Sequence, residues 1–233
     1  YLSTKVGRYG INGENSWDYS AERVTGSVFE SMERLYVDYV DLINVHDIEF
    51  ADLEMVCKET LPALVELRNR GIVKHVGITN LTLRHLKYVI DHVPEGTVES
   101  VLSFCHYCLN DDALSDYFDY FEQKGVGIIN ASPFSMGLLT ERGAPDWHPA
   151  PIQLQQLCQK AVAHCKARGK SIEQLAIKYA VSNPEIATTL FSTTRSASIL
   201  QNIKWIEEPL DEELLEDVRR ILAPRFRDTW LNS

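Results

Sequence analysis

The 233 residues carry 23 Lys and Arg against 33 Asp and Glu, a formal net charge of −10, and 45% of them are hydrophobic. Such acidity argues against nucleic acid as the main partner, because phosphate backbones call for a basic surface. No apolar run approaches the roughly 20 residues that a membrane-spanning helix needs. Five cysteines, an odd number in a chain this long, favour reduced thiols and a cytoplasmic location.

Short β-branched runs alternate with longer amphipathic ones. The strand patterns are 2–7, 39–47, 75–80, 101–107, 125–133 and 187–193. The helical patterns begin with 20–35, where Ser20 is the expected N-cap and Val24, Val28 and Leu35 form the apolar stripe. Segment 53–71 follows as one helix stopping at Gly71, then 82–93 before Pro94 and 112–125 ending at Gly125. The last helices are 153–169, 171–183 bounded by Pro184, 197–206 and 211–222.

Strand and helix thus repeat, and apolar strands of this kind fit a parallel sheet covered by helices. An open doubly wound sheet would want a G-x-G-x-x-G turn after an early strand, and none is present. A closed (β/α)8 TIM barrel is the other arrangement, and it needs eight strands where six are legible. On that reading roughly two strands are expected upstream of Tyr1, and 1–233 is a single partial barrel domain.

Chemistry in parallel α/β folds gathers at the C-terminal ends of the strands. Here those ends are polar: Lys5, His46 with Asp47, Thr79 with Asn80, Ser103 with His106, Ser132, and Ser192 to Thr194. Strand ends also meet water and tolerate polar groups, but six in succession point to a pocket rim. A lysine depresses the pKa of a nearby phenol or thiol, or forms a Schiff base with a carbonyl. A histidine donates a hydrogen bond to a substrate oxygen or shuttles a proton near neutral pH. Cys105 and Cys108 form a C-x-x-C, yet along a strand they would diverge, and no second Cys/His pair stands at zinc spacing. His164-Cys165 is helical and isolated, so no metal is expected. The acidic run 207–217 reads as a solvated helix face.

In this order the segments YLSTKVGRYG, YVDLINVHD, GIVKHVGITN and GVGIINASPFSMGLLT, with WHPAP and the end through Trp230, resemble the aldo-keto reductases, and within them the L-galactose dehydrogenase-like branch. The resemblance implies an NAD(P)-dependent oxidoreductase on a (β/α)8 barrel without a Rossmann domain. Lys5 matches the family's lysine and His46 its histidine, which orients the substrate carbonyl or hydroxyl. The family's aspartate and proton-transferring tyrosine are expected ahead of residue 1. Thr79 and Asn80 match the pair on the nicotinamide carboxamide, and Ser103 stands where many members carry a glutamine. Ala131 replaces the tyrosine that stacks on the nicotinamide. Ser132, Pro133, Phe134, Ser135, Gly137 and Leu138 match the pyrophosphate loop; Ser192, Thr193, Thr194, Gln201 and Asn202 match the adenosine end.

Ser192 and Ser198 stand where NADP-preferring members place a lysine and an arginine, which favours NAD, with NADP the alternative because Arg195 is close by. The implied substrate is a small-molecule sugar oxidised at C1, or another carbonyl compound run in the reductive direction. A cofactor-binding regulatory subunit is the non-catalytic alternative.

Overall fold

The computed structural model describes residues 1–10 and 16–230. Its strands are β1 (Ser3–Val6), β2 (Val40–Val45), β3 (Val73–Asn80), β4 (Ser100–Phe104), β5 (Gly127–Ala131) and β6 (Thr188–Leu190). Its α-helices are α1 (Ala21–Leu35), α2 (Leu53–Met55), α3 (Leu61–Asn69), α4 (Leu83–Asp91), α5 (Phe118–Gln123), α6 (Ile152–Ala167), α7 (Ile172–Val181), α8 (Ser196–Glu207) and α9 (Glu212–Leu222). The six strands follow chain order in a parallel β/α arrangement. Two compact units make up the chain: residues 1–103 with 119–128, and residues 104–118 with 129–233. No helix among the described residues is long and apolar enough to cross a membrane.

In the first unit the register sorts side chains cleanly. Val6 pairs with Val45, Ile43 with Val76, Val45 with Ile78, and Ile78 with Val101. These are all fully buried and form the face covered by helices, against Val24 and Val28 of α1 and Leu61, Leu64 and Leu67 of α3. The opposite face carries Lys5 beside Asn44, Asn44 beside Gly77, and Gly77 beside Ser100. Gly77 is required there, because a Cβ would meet Asn44 Oδ1, Ser100 Oγ and, at 3.0 Å, the Ser100 carbonyl oxygen.

Two expectations change. Ser20 does cap α1, accepting from Arg23 N at 3.4 Å, but Leu35 is 44% exposed and contributes little to the apolar stripe. The single helix expected over 53–71 is interrupted by a π turn at Val56–Thr60, just ahead of Pro62, whose nitrogen has no hydrogen to donate.

The second unit is closed by polar contacts across long sequence separations. Asp112 Oδ1 accepts from Arg227 Nε at 2.7 Å, 115 residues away, and Arg227 also holds Asp116. Arg219 donates to the Tyr179 hydroxyl at 2.7 Å and pairs with Asp112 at 3.4 Å. The Tyr107 ring stacks on Tyr179 at 5.0 Å.

Candidate functional site

In the first unit, the C-terminal ends of β1, β2 and β3 bring the candidate chemistry together. Lys5 lies on the non-helical face, and His46 follows β2 on the same side, two residues beyond Asn44. Its backbone N–H extends the ladder to Val6 O at 2.9 Å. Thr79 shares that face by register. Asp47, held with φ of 44°, turns its carboxylate back into the group. One carboxylate oxygen lies 3.3 Å from His46 Nε2 and 3.6 Å from Arg8 Nη1. The other accepts from Thr79 Oγ1 at 3.3 Å, while the Asp47 N–H donates to that same hydroxyl at 2.9 Å. Tyr19, fully inside, donates its hydroxyl to the carbonyls of His46 and Asp47 at 2.9 and 3.0 Å. This fixes the backbone on which both side chains stand.

Burial pushes the His46 pKa below the ordinary histidine value; Asp47 opposes that, and Lys5 and Arg8 reinforce it. The imidazole is therefore neutral near pH 7, so that one ring nitrogen donates and the other accepts.

Asn80 and Ser103 face one another in register, on the side opposite Lys5, His46 and Thr79. Asn80 is committed to local contacts: its Oδ1 accepts from Glu49 N at 2.8 Å and its Nδ2 donates to Thr82 O at 3.0 Å. Ser103 is fully buried and its hydroxyl has no hydrogen-bond partner within the protein.

In the second unit a cavity of about 1330 Å³ opens at the C-terminal ends of β5 and β6. The loop after β5 and the end of β6 are joined by Ser132 N donating to Leu190 O at 3.2 Å. That loop is wound tightly, with positive φ at Ser132, Ser135, Met136 and Gly137. Ser132, Pro133, Phe134, Gly137, Ser192, Thr193, Gln201 and Asn202 line the cavity, as do Ala131, Arg195 and Ser198. Leu138 and Thr194 do not line it, and Ser135 is fully buried behind it, its carbonyl accepting from His148 Nε2 at 3.1 Å. His148 Nδ1 in turn accepts from Ala150 N at 3.0 Å, and Trp230 meets the imidazole edge-on at 4.8 Å. The Trp147–Ala150 segment is thereby fastened to the back of the loop. Met136 falls within the stretch 132–138 expected to form the loop, whereas Trp147, Glu173 and Trp205 were not expected as cavity walls, because nothing in their local sequence marks them.

One rim residue and two further expectations resolve as structural. His106 Nδ1 lies 2.9 Å from Asp111 Oδ2 and both are almost fully buried, so this pair holds a turn. Cys105 and Cys108 do not continue a strand, because β4 ends at Phe104 and Cys105 has φ of 62°. They fold into a turn instead, where Cys108 Sγ donates to Cys105 O at 3.3 Å. Nor is His164 isolated, since its Nε2 lies 3.2 Å from Asp217. Among the described residues no group of three or more His, Cys, Asp or Glu is placed to hold a metal ion.

The chain is 45% identical to L-galactose dehydrogenase of Arabidopsis thaliana, over 98% of its own length and 72% of that protein's. It is 30% identical to D-arabinose 1-dehydrogenase of Saccharomyces cerevisiae, covering 78% of this chain and 55% of that enzyme. It is 26% identical to D-threo-aldose 1-dehydrogenase of a Pseudomonas species, covering 81% of this chain and 58% of that enzyme. The chain thus spans a little over half the length of the last two relatives. Among solved structures, an aldo-keto reductase from Bacillus halodurans in its holo form superposes with a TM-score of 0.76 at 21% identity, covering 100% of this chain and 74% of that one. A glycerol dehydrogenase from Gluconobacter oxydans gives 0.73 at 17% identity, covering 100% and 75%. At those identities the two establish the fold, a partial (β/α) barrel of six parallel strands. The family model for aldo/keto reductases matches residues 1–223, and the chain belongs to that family of NAD(P)-dependent oxidoreductases.

Proposed function

We propose that the protein is an aldose 1-dehydrogenase, oxidising a sugar such as L-galactose at C1 to its lactone with NAD as acceptor. The observation that carries this reading is the gathering of Lys5, His46 and Thr79 on one face at three adjacent strand ends. The 45% identity to the Arabidopsis L-galactose dehydrogenase supports the choice of sugar. The six strands are read as part of a (β/α)8 barrel, one domain over 1–233.

When bound, the nicotinamide supplies a hydride acceptor at C4. The cavity after β5 and β6, of about 1330 Å³, suits a dinucleotide: serines and threonines line it, and the tightly turned loop after β5 forms one wall. Beside the C1 oxygen, the neutral His46 imidazole holds the substrate by a hydrogen bond. The Lys5 ammonium stabilises the negative charge that develops there as the proton leaves. The resemblance gives the proton itself to a tyrosine whose pKa Lys5 lowers. Thr79 steadies the Asp47 carboxylate, which sets the His46 ring. Ser192 and Ser198, which the resemblance matches to the 2′-phosphate cations of NADP-preferring members, line the cavity and support NAD, while Arg195 on the same cavity keeps NADP as the alternative. Five free cysteines support a reducing, cytoplasmic setting.

Initial rates of reduced-nicotinamide formation test the reading, using L-galactose with each cofactor and the full-length protein. Turnover lost in His46→Ala supports it. Absence of aldose oxidation by the wild type overturns the substrate, and a preference for NADP overturns the cofactor.

A further inference from the structure

Beside His46 lies a cluster from two loops in which Arg8, Trp17 and Phe50 take no part in the chemistry above. The chain leaves β1, runs through Arg8, and returns at Trp17, the two residues forming an antiparallel bridge. Tyr9 N donates to Ser16 O at 2.8 Å and Asp18 N to Gly7 O at 3.0 Å, so the return is fixed on both sides of Trp17. Trp17 stacks on Phe50 at 4.3 Å and 21°. Phe50 ends the 3-10 turn Ile48–Phe50 that directly follows Asp47, and it remains 42% exposed. The Arg8 guanidinium lies 5.1 Å from the Trp17 ring centre and reaches Asp47, which touches His46. An aromatic wall, a guanidinium–carboxylate pair and the candidate catalytic histidine are therefore continuous.

We propose that Phe50, Trp17 and the Arg8–Asp47 pair form a subsite for a neutral, hydroxyl-rich ring. This rests on the dehydrogenase reading above and specifies which substrates that site takes. A sugar ring presents C–H groups on one face and hydroxyls at its edge. The exposed Phe50 ring, stiffened by Trp17 behind it, offers a flat apolar surface to the first. The guanidinium donates to the second and the carboxylate accepts from it. Arg8 and Asp47 neutralise one another, so the subsite favours an uncharged polyol over a sugar phosphate, which would need uncompensated cations.

The test separates recognition from turnover. A 1,5-anhydrohexitol, an aldose ring without the C1 hydroxyl, is titrated calorimetrically into the full-length protein with NAD present. Binding by the wild type, weakened about tenfold in Phe50→Ala, the equivalent of ~1.4 kcal/mol, is the expected result. NAD affinity is unchanged in that variant. Phe50→Leu keeps the apolar volume but not the flat face, and is expected to lose affinity likewise while melting with the wild type. In parallel, kcat/KM for the aldose falls through KM, whereas kcat/KM for glyceraldehyde, which has no ring to lie on the wall, stays constant. No binding of the anhydrohexitol, equal binding by wild type and variants, or equal losses for both substrates overturns the subsite. Binding that depends on Phe50 without any aldose turnover leaves the subsite standing and removes the dehydrogenase reading instead.

Discussion

Asp47 Oδ2 lies 3.3 Å from Nε2 of His46, so the histidine is paired with the residue that follows it in the chain. Burial depresses the His46 pKa, Asp47 raises it, and Lys5 and Arg8 lower it. Asp47→Asn therefore moves the His46 titration to lower pH, and Arg8→Gln moves it to higher pH. Following the His46 ring proton by NMR against pH checks both directions. Shifts of the same sign in the two variants contradict the arrangement.

The same depression has a consequence for stability. His46, His85 and His148 all have lowered pKa values in the folded chain, burial being the leading cause for each. The unfolded chain therefore binds more protons on these groups. Their contribution is present above the unfolded histidine value of about 6.5 and is lost as pH falls through it toward the folded values. Urea midpoints are expected to fall between pH 7.5 and pH 5.5, and less steeply in His148→Gln.

Gly77→Ala puts a methyl group among Asn44 Oδ1, Ser100 Oγ and the Ser100 carbonyl. Overpacking at a rigid ladder position costs about 1–3 kcal/mol. Denaturant unfolding measures it, and a neutral result means the strands separate more easily than their register indicates.

Ser198→Arg places a cation at the first turn of α8, on the cavity wall. The ratio of kcat/KM for NADP to that for NAD is expected to rise about tenfold or more, as a charge-assisted bond to a phosphate is worth ~1.5–3 kcal/mol. An unchanged ratio means the 2′ position lies elsewhere.

Burial raises every thiol: Cys105 and Cys158 to about 12, Cys165 to about 11, and Cys108 well above its usual value. Cys57, alone in being only half-buried, is the one expected to react with iodoacetamide in the native state, and slowly. Mass spectrometry of the labelled peptides identifies it; rapid labelling of Cys105 or Cys108 contradicts the packing.

Much of the frame was legible because the strand signals are strong. Each β-branched run holds a strand, but it is the register that puts Lys5, His46 and Thr79 on one face and turns Asn80 and Ser103, expected at the same rim, to the other. What escaped depends on backbone that residue types do not announce. Asp47 reaches His46 and Thr79 only because its φ is positive. The Trp17–Phe50 stack joins residues 33 apart through a return that no periodicity marks. The π turn before Pro62 and the turn at Cys105 likewise arise from single local constraints, whereas the patterns for helix and strand are averages over many residues.

The clasp between Asp112 and Arg227 also sets a schedule. A ribosome adds about 5–20 residues per second, so the 115 residues separating the two take roughly 6 to 23 seconds to emerge. Arg219 on α9 follows Asp112 by 107 residues, so it is made shortly before Arg227, and for most of that interval Asp112 has neither arginine. The contacts that clasp the second unit thus become available only late in its synthesis, those of Arg219 first and those of Arg227 after them.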